Sequence, residues 1–225
     1  RPIPPGAMSR SDGTRLIDGS DASGTTILLA HGAGAPMDSP WMTAVAEGLA
    51  ASGLRIVRFE FPYMQRAREL GRRCGPDRLP KLLEAYQQEV EREHQRNPEG
   101  MLVIGGKSLG GRIASLLVDE RAEVHACLCQ GYPFHPPGKP DSLRTGHLET
   151  MASPCLILQG ERDSFGKRGE VEQYPLSPSI ELSWLPSGDH SFKPTKSSGV
   201  SEAENIAAAV DHWQRFIQRL GGAIK

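Results

Sequence analysis

Short apolar runs alternate along this chain with longer stretches that carry apolar residues at helical spacing. The runs at 26–30, 54–61, 101–104, 124–129, 155–158 and 180–185 are too short for helices and predict buried strands. Apolar residues three and four positions apart predict helices that begin at about 40, 82, 109 and 206. Ser39 and Pro40 predict a capped start for the first of these helices.

Two segments lack a clear period. Residues 64–78 are rich in arginine and predict a loop or a short irregular helix. Residues 131–153 contain several prolines and predict a long connection of the kind that often covers a functional site.

The regular alternation of strands and helices predicts an α/β fold with a mostly parallel central sheet and helices on both faces. No internal repeat or linker divides the chain, so we expect residues 1–225 to form one domain, with residues 1–10 as a flexible tail.

Composition and charge limit the classes of partner that the protein is expected to have. The net charge is −1 and charges of both signs are interspersed, which argues against nucleic acid and favours a small molecule as partner. No apolar run reaches the roughly 18 residues of a membrane helix. The four cysteines show no C-x-x-C spacing, so we expect free thiols and a cytoplasmic protein. The sequence does not indicate an oligomeric state.

The segment Gly106-Lys-Ser108-Leu-Gly110 fits the G-x-S-x-G pattern of a nucleophile elbow, between a predicted strand and a predicted helix. Such a turn exposes the serine hydroxyl and places the next backbone N–H at a helix start, where it can face a developing negative charge. A phosphate-binding loop is excluded by register, because Met101 stands where that motif needs glycine. A purely structural turn with Ser108 as helix cap remains the alternative.

Partners for the serine are expected at the carboxyl ends of the other strands. Asp163 and His190 each follow such a strand, in the chain order serine, aspartate, histidine. His190 would act as base and Asp163 would orient it, with Asp189 as the rival acid. Backbone N–H groups of Ala33 and Leu109 would form the oxyanion hole.

Other polar residues have simpler expected roles. His31 is expected to pack its turn, and Lys107 to be a surface charge. The histidines and carboxylates show no metal-ligand spacing, so we expect neither metal nor cofactor. Six residues that follow the strand ends could line an apolar substrate cleft or could pack beneath the loops: Met37, Trp41, Tyr63, Met64, Phe134 and His135.

Several blocks of this sequence resemble the dienelactone-hydrolase-like α/β-hydrolases of bacteria and their eukaryotic relatives among testis-expressed proteins and a subunit of the NSL histone-acetyltransferase complex. The blocks are His31-Gly-Ala-Gly-Ala35, Phe59-Glu-Phe-Pro-Tyr-Met64, Gly105-Gly-Lys-Ser-Leu-Gly-Gly-Arg112, Gly131-Tyr-Pro-Phe-His135 and Gln159-Gly-Glu-Arg-Asp163.

The resemblance implies the α/β-hydrolase fold with little or no lid and a triad of Ser108, Asp163 and His190. True dienelactone hydrolases use cysteine where this chain has Ser108, so lactone opening is not carried over. The leading hypothesis is therefore a serine hydrolase of small carboxylic esters. Two alternatives remain: an amide or thioester hydrolase with the same triad, and a non-catalytic binding module of the same fold.

Overall fold

The computed structural model describes residues 10–11 and 14–223, and within them one mixed sheet organises the molecule. Its strands are β1 (Arg10–Ser11), β2 (Arg15–Asp18), β3 (Thr25–Ala30), β4 (Arg55–Phe59), β5 (Met101–Lys107), β6 (Ala126–Gln130), β7 (Cys155–Gly160) and β8 (Ile180–Leu185). They lie in the order β1-β2-β4-β3-β5-β6-β7-β8. Strands β3 to β8 pair in parallel, whereas β2 pairs antiparallel with both β1 and β4.

Helices cover both faces of the sheet. They are α1 (Pro40–Ala50), α2 (Pro62–Leu70), α3 (Leu79–Arg96), α4 (Leu109–Leu117), α5 (Arg168–Val171) and α6 (Glu202–Ala223). Apolar residues of α3 and α4 belong to one core cluster, and those of α1 and α6 to the other. No helix in the described ranges is both long and apolar enough to cross a membrane. The predicted parallel α/β architecture is confirmed.

Four elements differ from the sequence prediction. Residues Pro62–Leu70 form a regular helix that ends at Gly71 in the left-handed conformation, where a loop or irregular helix was expected. The strands β1 and β2 were not foreseen because they are short and carry charged residues. Helix α5 adds one short turn after β7. Most of the predicted tail, residues 1–9, lies outside the described residues, while Arg10 belongs to β1.

Buried ion pairs join the antiparallel edge to the parallel sheet. Arg58 on β4 donates to Asp18 on β2 at 3.0 Å, and both side chains are almost completely buried. Arg15 on β2 and Arg55 on β4 both donate to the carboxylate of Glu93 on α3. A buried carboxylate needs such partners, since an isolated one would lose its hydration without compensation. These pairs explain why strongly charged segments can form interior strands.

Candidate active site

Ser108 lies between β5 and α4 with φ of 50° and ψ of −112°, a conformation that L-residues rarely adopt. The neighbouring glycines allow this turn. A Cβ at Gly106 would lie 2.3 Å from the carbonyl oxygen of Ala30, and a Cβ at Gly110 would lie 2.4 Å from the same oxygen. A Cβ at Gly111 would lie 2.7 Å from the carbonyl oxygen of Gly106. The elbow therefore requires glycine before and after the serine, as the sequence pattern predicted.

The three polar side chains singled out from the sequence meet at the carboxyl edge of the sheet. The Ser108 Oγ lies 2.8 Å from His190 Nε2, and His190 Nδ1 lies 2.8 Å from Asp163 Oδ2. An ionised carboxylate only accepts, so it fixes the proton on Nδ1 and leaves Nε2 to accept from the serine hydroxyl. Asp163 is fully buried, whereas the His190 side chain keeps 24% of its surface exposed.

The carboxylate of Asp163 is held from several sides. The side-chain amide of Gln159 donates to Oδ2 at 2.8 Å, and the backbone N–H of Phe165 donates to Oδ1 at 2.9 Å. The Phe165 ring also stacks on the His190 imidazole, with centroids 4.2 Å apart. Sequence reasoning assigned no role to Gln159 or Phe165. No signal in the sequence marked them, because the burial of Gln159 and the stacking of Phe165 arise only in the folded chain.

The rival acid, Asp189, has another task. Its Oδ1 accepts from the backbone N–H of Ser191 at 2.8 Å and of Lys193 at 3.0 Å, so it braces the turn that carries the histidine. The imidazole contacts Asp163 instead. Gly131, with φ of 60°, passes close beneath this turn, and a Cβ there would lie 2.8 Å from the His190 carbonyl oxygen.

The loop that follows β3 lies beside the serine, since a Cβ at Gly32 would lie 3.7 Å from the Ser108 Cβ. His31 packs this turn, as expected. Its Nε2 accepts from the Phe61 backbone N–H at 3.1 Å, so the Nδ1–H donates to the Gly32 carbonyl oxygen at 2.6 Å. Burial lowers the pKa of His31, which keeps the ring neutral.

Tyr63 fixes the same loop from the other direction. Its hydroxyl lies 3.3 Å from the Gly32 carbonyl oxygen and 3.2 Å from that of Ala33. In a trans peptide the N–H points opposite to the C=O. With the Gly32 oxygen held by Tyr63 and His31, the Ala33 N–H is directed away from both of them. That orientation suits a donor to an oxyanion.

The six candidate substrate residues divide into two groups. Tyr63 and Phe134 are completely buried and His135 nearly so, which matches the alternative that they pack beneath the loops. Trp41 is partly exposed. A cleft of about 330 Å³ adjoins the proposed oxyanion loop, and Met64 lines it together with Ala33. Met37 lines a neighbouring cleft. Met37, Trp41 and Met64 therefore stay candidates for substrate contact.

Lys107 was expected to be a surface charge, and this prediction is wrong. Its Nζ lies 3.0 Å from the His190 carbonyl oxygen and 2.9 Å from the Ser191 Oγ. The ammonium also lies over the Trp41 ring, 4.2 Å from its centroid. The residue before the serine on β5 therefore points at the histidine turn.

Within the described residues, one group of side chains is close enough to hold a metal ion: the thiols of Cys127, Cys129 and Cys155, whose sulfur atoms lie within 4.8 Å of one another. All three are fully buried among apolar residues on β6 and β7. Burial raises the pKa of the Cys127 thiol well above its usual value, which disfavours the thiolate that metals bind. A free cysteine in such surroundings behaves as a small hydrophobic residue.

Comparison with known proteins agrees with this fold. Residues 23–218 match the family model described as "Alpha/beta hydrolase domain". Similar solved structures include an α/β serine hydrolase without lid from Xanthomonas campestris, with a TM-score of 0.68, 18% identity and coverage of 91% of this chain and 88% of that one. A dienelactone hydrolase from Anabaena variabilis has a TM-score of 0.68 and 20% identity, covering 91% of this chain and 90% of that one. An esterase domain from Rhodothermus marinus has a TM-score of 0.62 and 16% identity, with coverage of 89% and 91%.

Proposed function

The chain belongs to the α/β-hydrolase family, and on that premise we propose that it is a serine hydrolase that cleaves small carboxylic esters through an acyl-enzyme. The observation that carries the proposal is the continuous hydrogen-bonded chain from Asp163 through His190 to the hydroxyl of Ser108. A serine hydroxyl is a weak nucleophile at neutral pH and needs a base in this position.

The proposed reaction has two halves. His190 Nε2 takes the proton of Ser108 while Oγ attacks the ester carbonyl, and Asp163 stabilises the imidazolium that forms. The N–H groups of Leu109 and Ala33 receive the negative charge of the tetrahedral intermediate. The imidazolium then protonates the leaving alkoxide. In the second half, His190 activates water, which attacks the acyl carbon and releases Ser108.

Ester rather than amide cleavage is a proposal about the leaving group. An alkoxide leaves more readily than an amine, and the cleft lined by Ala33 and Met64 adjoins the loop that lies beside Ser108. An esterase domain is among the similar structures, at an identity that supports the fold alone. Amides and thioesters remain the alternative substrates, because pocket shape rather than the triad selects among them.

We also propose that residues 1–225 form one domain that acts in the cytoplasm on a small-molecule ester, with no nucleic-acid or membrane partner and no cofactor. The single sheet and the helices packed on both its faces support one domain. The four cysteines are free thiols, which a reducing compartment would maintain.

Covalent labelling tests the proposal. A fluorophosphonate probe is expected to modify Ser108 in folded protein, as mapped by peptide mass spectrometry. Labelling should be lost in Ser108→Ala and reduced at least about a hundredfold in rate in His190→Ala, since the base is gone. His212→Ala, a histidine on α6, serves as the matched control and should label at the wild-type rate.

Two results would count against the proposal: no label on Ser108, or an unchanged labelling rate in His190→Ala. The first would favour the non-catalytic binding module. Once labelling is established, a graded series of acyl esters, amides and thioesters, with Ser108→Ala as blank, identifies the bond that the enzyme prefers.

A further inference from the structure

The turn that carries His190 has an unusual backbone. Ser187 and Phe192, which lie on either side of the histidine, have φ of 54° and 65°, in the left-handed region that non-glycine residues seldom adopt. Residues in this conformation are strained and persist only where the surrounding structure holds them. A catalytic imidazole on this turn therefore depends on contacts that hold the turn in place.

Several contacts supply that support. Asp189 accepts from backbone N–H groups within the turn. The side-chain amide of Asn205 donates to the Phe192 carbonyl oxygen at 2.8 Å, and Trp41 Nε1 donates to that of Ser191 at 3.1 Å. These groups come from the turn itself, from α6 and from α1. None of them connects the histidine to the strand that carries the nucleophile.

Lys107 makes that connection. It immediately precedes Ser108 on β5, and its Nζ donates to the carbonyl oxygen of His190 itself at 3.0 Å. A second donation reaches the Ser191 hydroxyl at 2.9 Å, and the Trp41 ring lies against the ammonium. One side chain thus joins the backbone of the base to the backbone of the nucleophile.

We propose that Lys107 is a positioning residue that sets the distance between His190 Nε2 and Ser108 Oγ by tying the histidine turn to the nucleophile strand. This inference rests on the proposed hydrolase function. Lys107 does not contact the reacting atoms, and it acts through the main chain of His190. An error of about 1 Å in the placement of a reacting group can cost about a hundredfold in rate.

The charge of Lys107 allows a second test, which is the dependence of kcat on pH. Burial lowers the pKa of Lys107 to about 8, against the opposing attraction of the carboxylates of Asp163, Asp189 and Glu202. Besides these three carboxylates, the His190 imidazole is a titratable group on the turn that Lys107 contacts. Above about pH 8 the side chain becomes a neutral amine, which donates weaker hydrogen bonds than an ammonium and loses its attraction to the Trp41 ring.

The experiment compares Lys107→Met, Lys107→Arg and a control, Lys193→Met, whose lysine is exposed on the same turn. Steady-state hydrolysis of a small aryl ester should show kcat lowered about ten- to a hundredfold in Lys107→Met, with KM within about twofold. Lys107→Arg should recover most of that loss, and Lys193→Met should match wild type. A decline of kcat near pH 8 in wild type should move to higher pH in Lys107→Arg.

Other outcomes are equally informative. Unchanged kcat in folded Lys107→Met, or a rise of KM alone, would overturn the inference and leave the hydrolase proposal intact. If Lys107→Met does not fold, the alkaline decline in wild type and its movement in Lys107→Arg decide the question, and their absence overturns it. If the wild type neither hydrolyses esters nor takes up the fluorophosphonate, the proposed function fails. Hydrogen exchange then tests, independently of activity, whether Lys107 holds the histidine turn in place. Unchanged exchange of the Ser191 and Lys193 amides between wild type and Lys107→Met would overturn the inference. Faster exchange in the variant would support it.

Discussion

Two carboxylates lie near His190, and their hydrogen-bond partners show that they have different roles. Asp163 accepts from the imidazole, whereas Asp189 accepts from backbone N–H groups. We expect Asp163→Asn to lower kcat about ten-thousandfold, because an amide that donates to Nδ1 would favour the wrong tautomer of His190. Asp189→Asn keeps an oxygen that can accept from both N–H groups, so kcat should fall less than about tenfold. Ester hydrolysis by both variants measures the difference.

The two variants control for each other, since both remove one negative charge near the same histidine. Equal losses of kcat would contradict the assignment, and a larger loss in Asp189→Asn would reverse it. Circular dichroism and thermal unfolding show whether either variant has lost its fold.

At the scale of single residues, the sequence predicted the residues that follow strand ends but not those that support them. Ser108, Asp163 and His190 could be found because parallel strands bring their carboxyl ends to one edge. The supporting roles of Gln159 and Lys107 depend on where each side chain points within the folded sheet. Charge and spacing along the chain carry no such information.

At the scale of elements, the turn from β5 to α4 depends on how closely the helix approaches β3. Gly110→Ala would place a Cβ 2.4 Å from the Ala30 carbonyl oxygen, a backbone atom that cannot move aside freely. We expect the free energy of unfolding in urea to fall by at least about 1–3 kcal/mol. Loss of esterase activity should accompany it, because the Leu109 N–H lies in the same turn.

The control for this prediction is Gly169→Ala. Gly169 lies in helix α5, and a Cβ there would meet nothing within 4 Å. Alanine favours helix over glycine by about 1 kcal/mol, so this variant should be as stable as wild type or more so. A similar stability for both variants would show that the elbow tolerates a wider separation of β3 and α4.

Elements with a strong hydrophobic period were predicted well, and elements stabilised by charge were not. Helix α2 was missed because arginine fills positions that would otherwise show an apolar stripe, and its Arg68 pairs with Glu60 instead. Strand β2 was missed because its charged residues find partners only after folding. A hydrophobic pattern predicts elements that bury apolar side chains, whereas β2 depends on buried ion pairs and α2 on an ion pair whose arginine is partly exposed.

At the scale of the whole molecule, the long connection between β6 and β7 is joined to α4 through a histidine. His147 Nε2 lies 2.8 Å from the Ser115 Oγ. Burial, followed by the charge of Arg112, lowers the pKa of His147 from 6.5 to about 4, while Asp119 opposes the shift. The folded protein therefore resists protonation of a side chain that the unfolded chain protonates readily.

The direction in which the free energy of unfolding changes with pH follows from the lower pKa of His147 in the folded protein. Stability from neutral His147 is fully present above about pH 6.5 and is lost as the pH falls through about 4. His147→Gln keeps a hydrogen-bonding group without a proton to gain. We expect the free energy of unfolding to decline less between about pH 7 and pH 4 in this variant than in wild type. Urea unfolding at several pH values measures the two slopes, with His212→Gln as control; equal slopes in wild type and His147→Gln would contradict the prediction.

The overall architecture was predictable because a parallel sheet is buried on both faces, so each of its strands appears in the sequence as an apolar run. The side of the sheet that carries β1 and β2 was less predictable, because these short strands contain charged residues in place of a continuous apolar run. The long connection was foreseen as a segment, and packing beneath the loops was one of two expectations for Phe134 and His135. The sequence left the choice open because their burial depends on contacts with α5 and residues near it.

The backbone of Ser108 bears on how this sequence came to be selected. A serine with positive φ is held at a cost of about 1–3 kcal/mol, which glycine at the same position would avoid. Natural selection for stability alone would remove such a residue, since a more permissive one is a single substitution away. A chain that served only as a scaffold would gain nothing from this loss of stability. A strained serine hydroxyl 2.8 Å from a histidine nitrogen is therefore what the proposed hydrolase activity would require, and what stability alone would not favour.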